Sequence, residues 1–248
     1  MYDIDGPRIR LGVLWFIVNV ASWFAGVWGL AVLYGATAGV AALQTARCWR
    51  KQGARPDRAV AGAGAVAMVG AAAITTGLLG IAILGVVVAA LFVAQRQAVA
   101  NPRRRTPPIV AAAATIKCAL FPGLAAASVV VTARFSLGAA IALILLASAY
   151  EAGDYIVGSG SSNPYEGPVA GATAIVVVTF AVTALGIKPL AFPGSFALGA
   201  MACVLCPIGQ LIASAVLPSV TSPASALRRL DSLLVLGPAW ALVIGWLV

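Results

Sequence analysis

Seven side chains in this sequence have the types and spacing to do chemistry: Glu151, Asp154, Tyr155, Glu166, Arg228, Arg229 and Asp231. They fall in two polar stretches of an otherwise apolar chain. One runs from Tyr150 through Ser159-Gly160-Ser161-Ser162-Asn163 to Gly167. The other runs from Pro207 to Asp231 and ends in Arg228-Arg229-Leu230-Asp231-Ser232. Glu151 and Asp154 are three residues apart, so on a helix they share a face. Carboxylates beside glycine-rich backbone could hold a hard cation such as Mg²⁺, which takes a few carboxylates plus substrate phosphate. No other cofactor is indicated. The plainer alternative is that Glu151 and Asp154 end a span and are solvated. Gly158, Gly160 and Gly167 could cradle phosphate through their backbone N–H groups, or simply punctuate a loop.

Lys117, Arg228 and Arg229 form a second set, suited to an anionic lipid headgroup. Lys117 lies about 12 Å into its apolar segment. A charge so placed faces the bundle and a partner, or snorkels to the interface. Other chemistries are excluded. The chain has no histidine, which removes Ser-His catalysis and His-ligated zinc or haem. Of four cysteines, Cys203 and Cys206 form a CxxC, but inside an apolar helix and without companion ligands, so packing is the expected role.

The elements that must position these residues are membrane spans. Of 248 residues, 62% are hydrophobic and only 9% charged, too few to cover a water-facing globule. Leu11 to Ala46 is too long for one helix and reads as a hairpin broken near Gly26-Val27-Trp28-Gly29. Its first arm exceeds a signal-peptide core and is expected to be retained. Ala59 to Ala94 repeats the arrangement, with a break near Thr75-Thr76-Gly77. Further spans are expected at about 109–132, 136–152, 168–187, 190–207 and 231–248, given about 20 residues per crossing. The fold class is therefore an all-α, polytopic membrane bundle of about nine transmembrane helices, one membrane domain over 1–248.

Charge orients the bundle. With the N-terminus inside, thirteen basic residues fall on the cytoplasmic side: Arg8, Arg10, Arg47, Arg50, Lys51, Arg55, Arg58, Arg96, Arg103, Arg104, Arg105, Arg228 and Arg229. Only Arg134 and Lys188 fall outside, and all seven acids lie at or near the inner side. The positive-inside rule predicts a bacterial-type inner (plasma) membrane protein with a cytoplasmic N-terminus and an outer C-terminus. The net charge of +9 is explained by orientation, and no nucleic-acid partner is expected.

At the two polar stretches the chain resembles the CDP-diacylglycerol synthase family (phosphatidate cytidylyltransferases), membrane enzymes that join CTP to phosphatidic acid using Mg²⁺. Three features carry the resemblance. Glu151 to Gly158 resembles the family's acidic residue, Ala-Tyr and Gly at the end of a span, with Tyr155 and Gly158 in register. Tyr165-Glu166-Gly167 followed by Gly171 resembles the Ser-Pro-Lys-Lys-Thr-x-Glu-Gly loop. Arg229-Leu230-Asp231-Ser232-Leu233-Leu234 followed by Pro238 resembles the end of the signature Asp-Arg-x-Asp-Ser. On this resemblance, residues 1–108 are two helical hairpins with basic inner loops, 109–248 are the synthase-like region, and Glu151 and Asp231, the acids best aligned with the family's acidic positions, are the metal candidates.

The departures are chemical. Ser162 and Asn163 stand where the family has a lysine pair, Gly209-Gln210 where it has Gly-Asp, and Arg228 where it has the first aspartate of its signature. The Lys-Arg, Lys-Asp and Pro-Gly-His-Gly-Gly elements are absent. Transfer onto CTP needs metal and cations to neutralise charge developing on phosphates. The expectation is a catalytically degenerate relative, a lipid-binding or assembly subunit that binds anionic phospholipid and a partner protein in a membrane complex. The alternative is an active Mg²⁺-dependent cytidylyltransferase or related lipid nucleotidyltransferase.

Overall fold

A computed structural model describes residues 7–101, 106–186, 192–219 and 222–247. Among them there are only helices and connections, with no strand. The α-helices are α1 (Pro7–Phe24), α2 (Gly26–Lys51), α3 (Arg58–Ile74), α4 (Thr76–Ala100), α5 (Pro108–Phe135), α6 (Leu137–Gly158), α7 (Glu166–Ala184), α8 (Gly194–Val216) and α9 (Leu233–Leu247). A single 3-10 turn, Leu227–Arg229, precedes α9. Six helices (α2 and α4 to α8) are long and apolar enough to cross a membrane, the architecture of a multi-pass membrane protein. The apolar parts of the other three, Gly12–Phe24, Arg58–Ile74 and Leu233–Trp246, are shorter. Arg103, Arg104, Arg105 and Lys188 lie outside the described residues, as do Asp3 and Asp5.

Both expected hairpin breaks are present, each with a local cause. Between α1 and α2 the backbone reverses at Gly26, whose φ of 61° is in the left-handed region open to glycine. Between α3 and α4, Thr75 is extended and its side chain accepts from Leu78 N at 3.0 Å, an N-cap for the new helix. Asp57 caps α3 in the same way by accepting from Val60 N, and Ser136 caps α6.

Two boundaries differ from expectation. Helix α6 does not stop near 152 but continues to Gly158, and α7 starts at Glu166, so the loop between them is only 159–165. Glu151, Asp154 and Tyr155 are therefore helical. Helix α8 passes straight through Pro207 and ends at Val216. Proline removes one ladder bond, but inside a bundle neighbouring helices tolerate it, and apolar Ile208, Leu211, Ile212 and Ala213 continue the helix. The stretch from Pro207 to Asp231, expected as an inner segment, is helical as far as Val216.

Helix α5 is the axis of the bundle. It packs on α2, α3, α4, α6, α8 and α9, and most of its buried positions are Ala, Val, Gly or Ser. Small residues let backbones approach closely, which is how helices associate without a strong hydrophobic drive. A Cβ on Gly123 would run into Met68 and Ala65 of α3, and one on Gly237 of α9 would run into Ser128 of α5.

The densest pairing is α6 against α7. A Cβ on Gly153 would press on Ala170 O, one on Gly158 on Gly167, one on Gly167 on Asp154, and one on Gly171 on the Tyr150 ring. Tyr150 itself is fully buried. By contrast, nothing lies within 4 Å of a Cβ built on Gly80 of α4. Gly171→Ala is expected to lower the thermal midpoint in detergent by the equivalent of about 1–3 kcal/mol of overpacking. Gly80→Ala should leave it level or raise it slightly. Equal midpoints for the two variants would contradict this packing.

Candidate functional site

Helix ends that alternate along the chain meet at one end of the bundle, and the C-terminus of α8 is their junction. The last carbonyls of a helix have no partner within it. Here Trp49 Nε1 of α2 donates to Val216 O at 2.8 Å, and Lys117 Nζ of α5 donates to Ala215 O at 2.8 Å. The Lys117 ammonium also lies 4.7 Å from the Trp49 ring centroid, in cation–π range. Arg228 Nη1 donates to Ser214 Oγ at 3.3 Å in the same final turn. Three donors, two of them cationic, thus gather at the negative end of the α8 dipole. Lys117, half-buried, thus has a protein partner at this helix end.

The chain after α8 is fastened to α2. Gln44 Oε1 accepts from Ala226 N at 2.9 Å, and Gln44 Nε2 donates to Ser225 Oγ at 3.4 Å. This sets the position of the 3-10 turn that carries Arg228 and Arg229. The residue after that turn, Leu230, is fully buried, which pulls Asp231 and Ser232 into the bundle. Asp231 is only 6% exposed and Ser232 not at all. A Cβ on Gly209 of α8 would strike the Asp231 carbonyl. Glycine at 209 is thus what lets this segment seat.

The carboxylates converge from two helices and this segment. Glu151 of α6 interacts with Asp231, Arg229 and Asp154, and shares a hydrogen bond with the Ser232 hydroxyl. Asp231 Oδ1 accepts from its neighbour Ser232 N at 2.8 Å. Asp154 Oδ2 accepts from Gln210 Nε2 at 3.1 Å, and Gln210 Oε1 accepts from Tyr150 Oη at 3.3 Å. Arg229 lies beside Gly12 of α1. The five residues Glu151, Asp154, Arg228, Arg229 and Asp231 therefore form one mixed-charge cluster.

The remaining candidates stand at its edge. Asp154 also lines an open cleft of about 310 Å³ with Tyr155, Ser159, Ser161, Asn163 and Pro168. Tyr155 is 38% exposed. Glu166 is exposed in the first turn of α7, a favourable place for a negative side chain. Sequence reasoning missed the roles of Gln210, Ser214, Tyr150 and Trp49. A lone amide at 210, three residues after Pro207 in an apolar run, was the one available signal.

The glycines are not a phosphate cradle. Gly158 and Gly167 are the contact surface between α6 and α7. In the turn, Gly160 N and Ser161 N already donate to Gly158 O. Nor do the residues fit Mg²⁺. Among the described residues no three carboxylate or cysteine groups come close enough together to hold a metal ion. Arg229 faces Glu151, Arg228 faces Asp231, and one Asp231 oxygen is turned onto Ser232. Mg²⁺ needs near-octahedral oxygen ligation, and the arginines occupy the electrostatic role that a dication would play.

No protein-family model matches this chain, no curated protein matches it, and no solved structure matches it.

Asp231 lies ahead of α9, and burial pushes its carboxyl from the usual 3.8 up to about 6. The Ser232 N–H and Arg228 pull it down, and Asp154 adds to the rise. Glu151 faces it from α6. A carboxyl whose folded pKa exceeds its unfolded one is protonated more readily in the folded state. Its contribution is therefore fully present below about pH 4 and is lost as pH rises through about 6. Asp231→Asn should flatten the stability-versus-pH profile between pH 4 and 6, removing a fall on the order of 1–3 kcal/mol. An unchanged slope in the variant would show that Asp231 titrates normally.

Proposed function

We propose that this chain is a CDP-diacylglycerol-synthase-like inner-membrane protein that has lost catalysis and serves as a lipid-binding or assembly subunit. The observation that carries the reading is the mixed-charge cluster. Its residues come from stretches separated by more than seventy positions, and these are two of the three stretches that resemble the family: Glu151 and Asp154 from one, Arg229 and Asp231 from the other. Ionisable residues gathered and buried at a helix junction are expensive to keep there and mark a candidate functional site.

Loss of catalysis follows from how the charges are used. Arg228 binds Ser214 and faces Asp231, and Arg229 faces Glu151. Lys117 caps α8. These cations are engaged by protein groups, and Ser162 and Asn163 offer no lysine pair to neutralise a triphosphate. Each missing contact to developing phosphate charge is worth about 3 kcal/mol, or roughly a hundredfold in rate. A headgroup phosphate asks less, since one or two arginines suffice.

Radiolabelled CTP, Mg²⁺ and phosphatidic acid in micelles should yield no CDP-diacylglycerol, while mass spectrometry of gently purified protein should find retained anionic phospholipid. Arg229→Gln should reduce that retention several-fold. Turnover near one per second would instead establish the cytidylyltransferase, and lipid-free protein would remove the binding role.

The same reading carries nine spans, with the N-terminus cytoplasmic and the C-terminus outside. The thirteen-to-two distribution of basic residues supports it. In a cysteine-free background, single cysteines at Trp28 and Thr76 should label from the outer side and one at Arg55 should not. Outer labelling at Arg55 would reverse the orientation.

A further inference from the structure

Among the six long apolar helices, α4 buries the smallest share of its residues. Its buried positions are Val86, Ala90 and Ala94. They seat the helix on its neighbours, Val86 with Met68 of α3 and Ala119 of α5, and Ala94 with Ala111 and Ala112 of α5. Positions two residues away lie about 200° round the helix, on the side facing out. Leu84, Val88, Phe92 and Arg96 stand there in one i, i+4 column. The three apolar side chains are each more than half exposed, and Arg96 is exposed too. The outer face of α4 is thus apolar along its length and ends in a cation.

Among the described residues Arg96 has no hydrogen-bond or ion-pair partner. Asp57 is the one acid between positions 6 and 150, and both its oxygens are taken. Oδ1 accepts from Val60 N and Oδ2 from Gln97 Nε2, each at 2.9 Å. The Gln97 bond holds the end of α4 against the start of α3. Thr106 Oγ1 donates to Gly53 O at 2.8 Å, which joins the segment after α4 to the loop after α2. Exposed Arg47, Arg50 and Lys51 close α2 at this same end of the bundle. The column therefore runs up to a basic rim.

We propose that Arg96 and the column below it bind one anionic phospholipid of the surrounding leaflet. The phosphate sits on the guanidinium, whose planar fork matches phosphate oxygens, and an acyl chain lies along Phe92, Val88 and Leu84. The dimensions agree. Leu84 is twelve residues from Arg96, about 18 Å along the axis, against roughly 15 Å for half of a bilayer core. Free phosphate has no use for the apolar column, and an acidic protein segment has none for its depth. Helix α4 packs on α3 and α5 and shares no residue with the Glu151–Arg229 cluster. This site therefore stands or falls apart from the lipid-binding role proposed above.

The test reads which lipid chain touches α4. In a cysteine-free background, Val88→Cys carries a bimane probe about 12 Å below Arg96, at the depth of bromines in mid-chain. The protein is placed in phosphatidylcholine vesicles containing either phosphatidylglycerol or phosphatidylcholine with brominated chains. One basic residue at the surface favours an anionic lipid by about fivefold. Brominated phosphatidylglycerol should therefore quench the probe at several-fold lower mole fraction, and Arg96→Gln should bring the two lipids to parity. A probe at Ile81→Cys, exposed further along α4 and away from the basic rim, should show no headgroup preference. Equal quenching by both lipids at position 88, the result for a guanidinium that only reaches water, overturns the site. So does a preference that survives Arg96→Gln or appears equally at position 81.

Discussion

A helix bundle in lipid cannot leave a carbonyl or a charge unanswered, and at the C-terminus of α8 this chain meets that constraint with side chains from three other elements. Trp49, Lys117 and Arg228 all arrive there. Their residues are 167, 98 and 14 positions away from the groups they satisfy. Each bond alone is worth about 1 kcal/mol, more for the charged donors. Together they do something that apolar packing cannot, which is to fix where α8 ends relative to α2 and α5. The polar cluster depends on that registration. Gln210 reaches Asp154, and Gly209 makes room for Asp231, only because α8 continues past Pro207 to this junction.

Close packing and polar chemistry are joined by the same glycines. Along α6 and α7, Gly153, Gly158, Gly167 and Gly171 bring two backbones into contact. That approach buries Tyr150 against Gly171 and leaves its hydroxyl pointing to Gln210. Asp154 packs against Gly167 on one side and receives Gln210 on the other. Larger residues at these positions would separate the helices and break the Tyr150–Gln210–Asp154 chain without touching any charged group.

The hairpin breaks were legible in the sequence because their signals are local: a glycine suited to positive φ at 26 and a threonine cap at 75. The helical face shared by Glu151 and Asp154 was legible for the same reason. The ends of α6 and α8 were not. Gly158 and Pro207 carry the composition of loop punctuation, and only a neighbouring helix makes them helical. Gly158 and Gly167, open in the sequence to a phosphate cradle or to loop punctuation, are helix contacts instead, since a glycine wanted for backbone contact looks like one wanted for a turn. Lys117 could be read as an intramembrane charge needing a partner. Its partner, a carbonyl at the end of a distant helix, has no sequence signature at all.

Arg228 shows how the proposed loss of catalysis and the fold are linked. On the proposed reading it stands where the resembled family carries an aspartate. In this structure that side chain lies against the final turn of α8, at the negative end of the helix dipole. A carboxylate there would be repelled by the helix end and by Asp231, unless a dication neutralised them. An arginine meets the same negative potential directly and needs no metal. Once it is in place, a dication would be repelled in turn. On the proposed reading, an arginine at 228 holds the segment against α8 without Mg²⁺, and the proposed loss of nucleotide transfer rests on that exchange of charge.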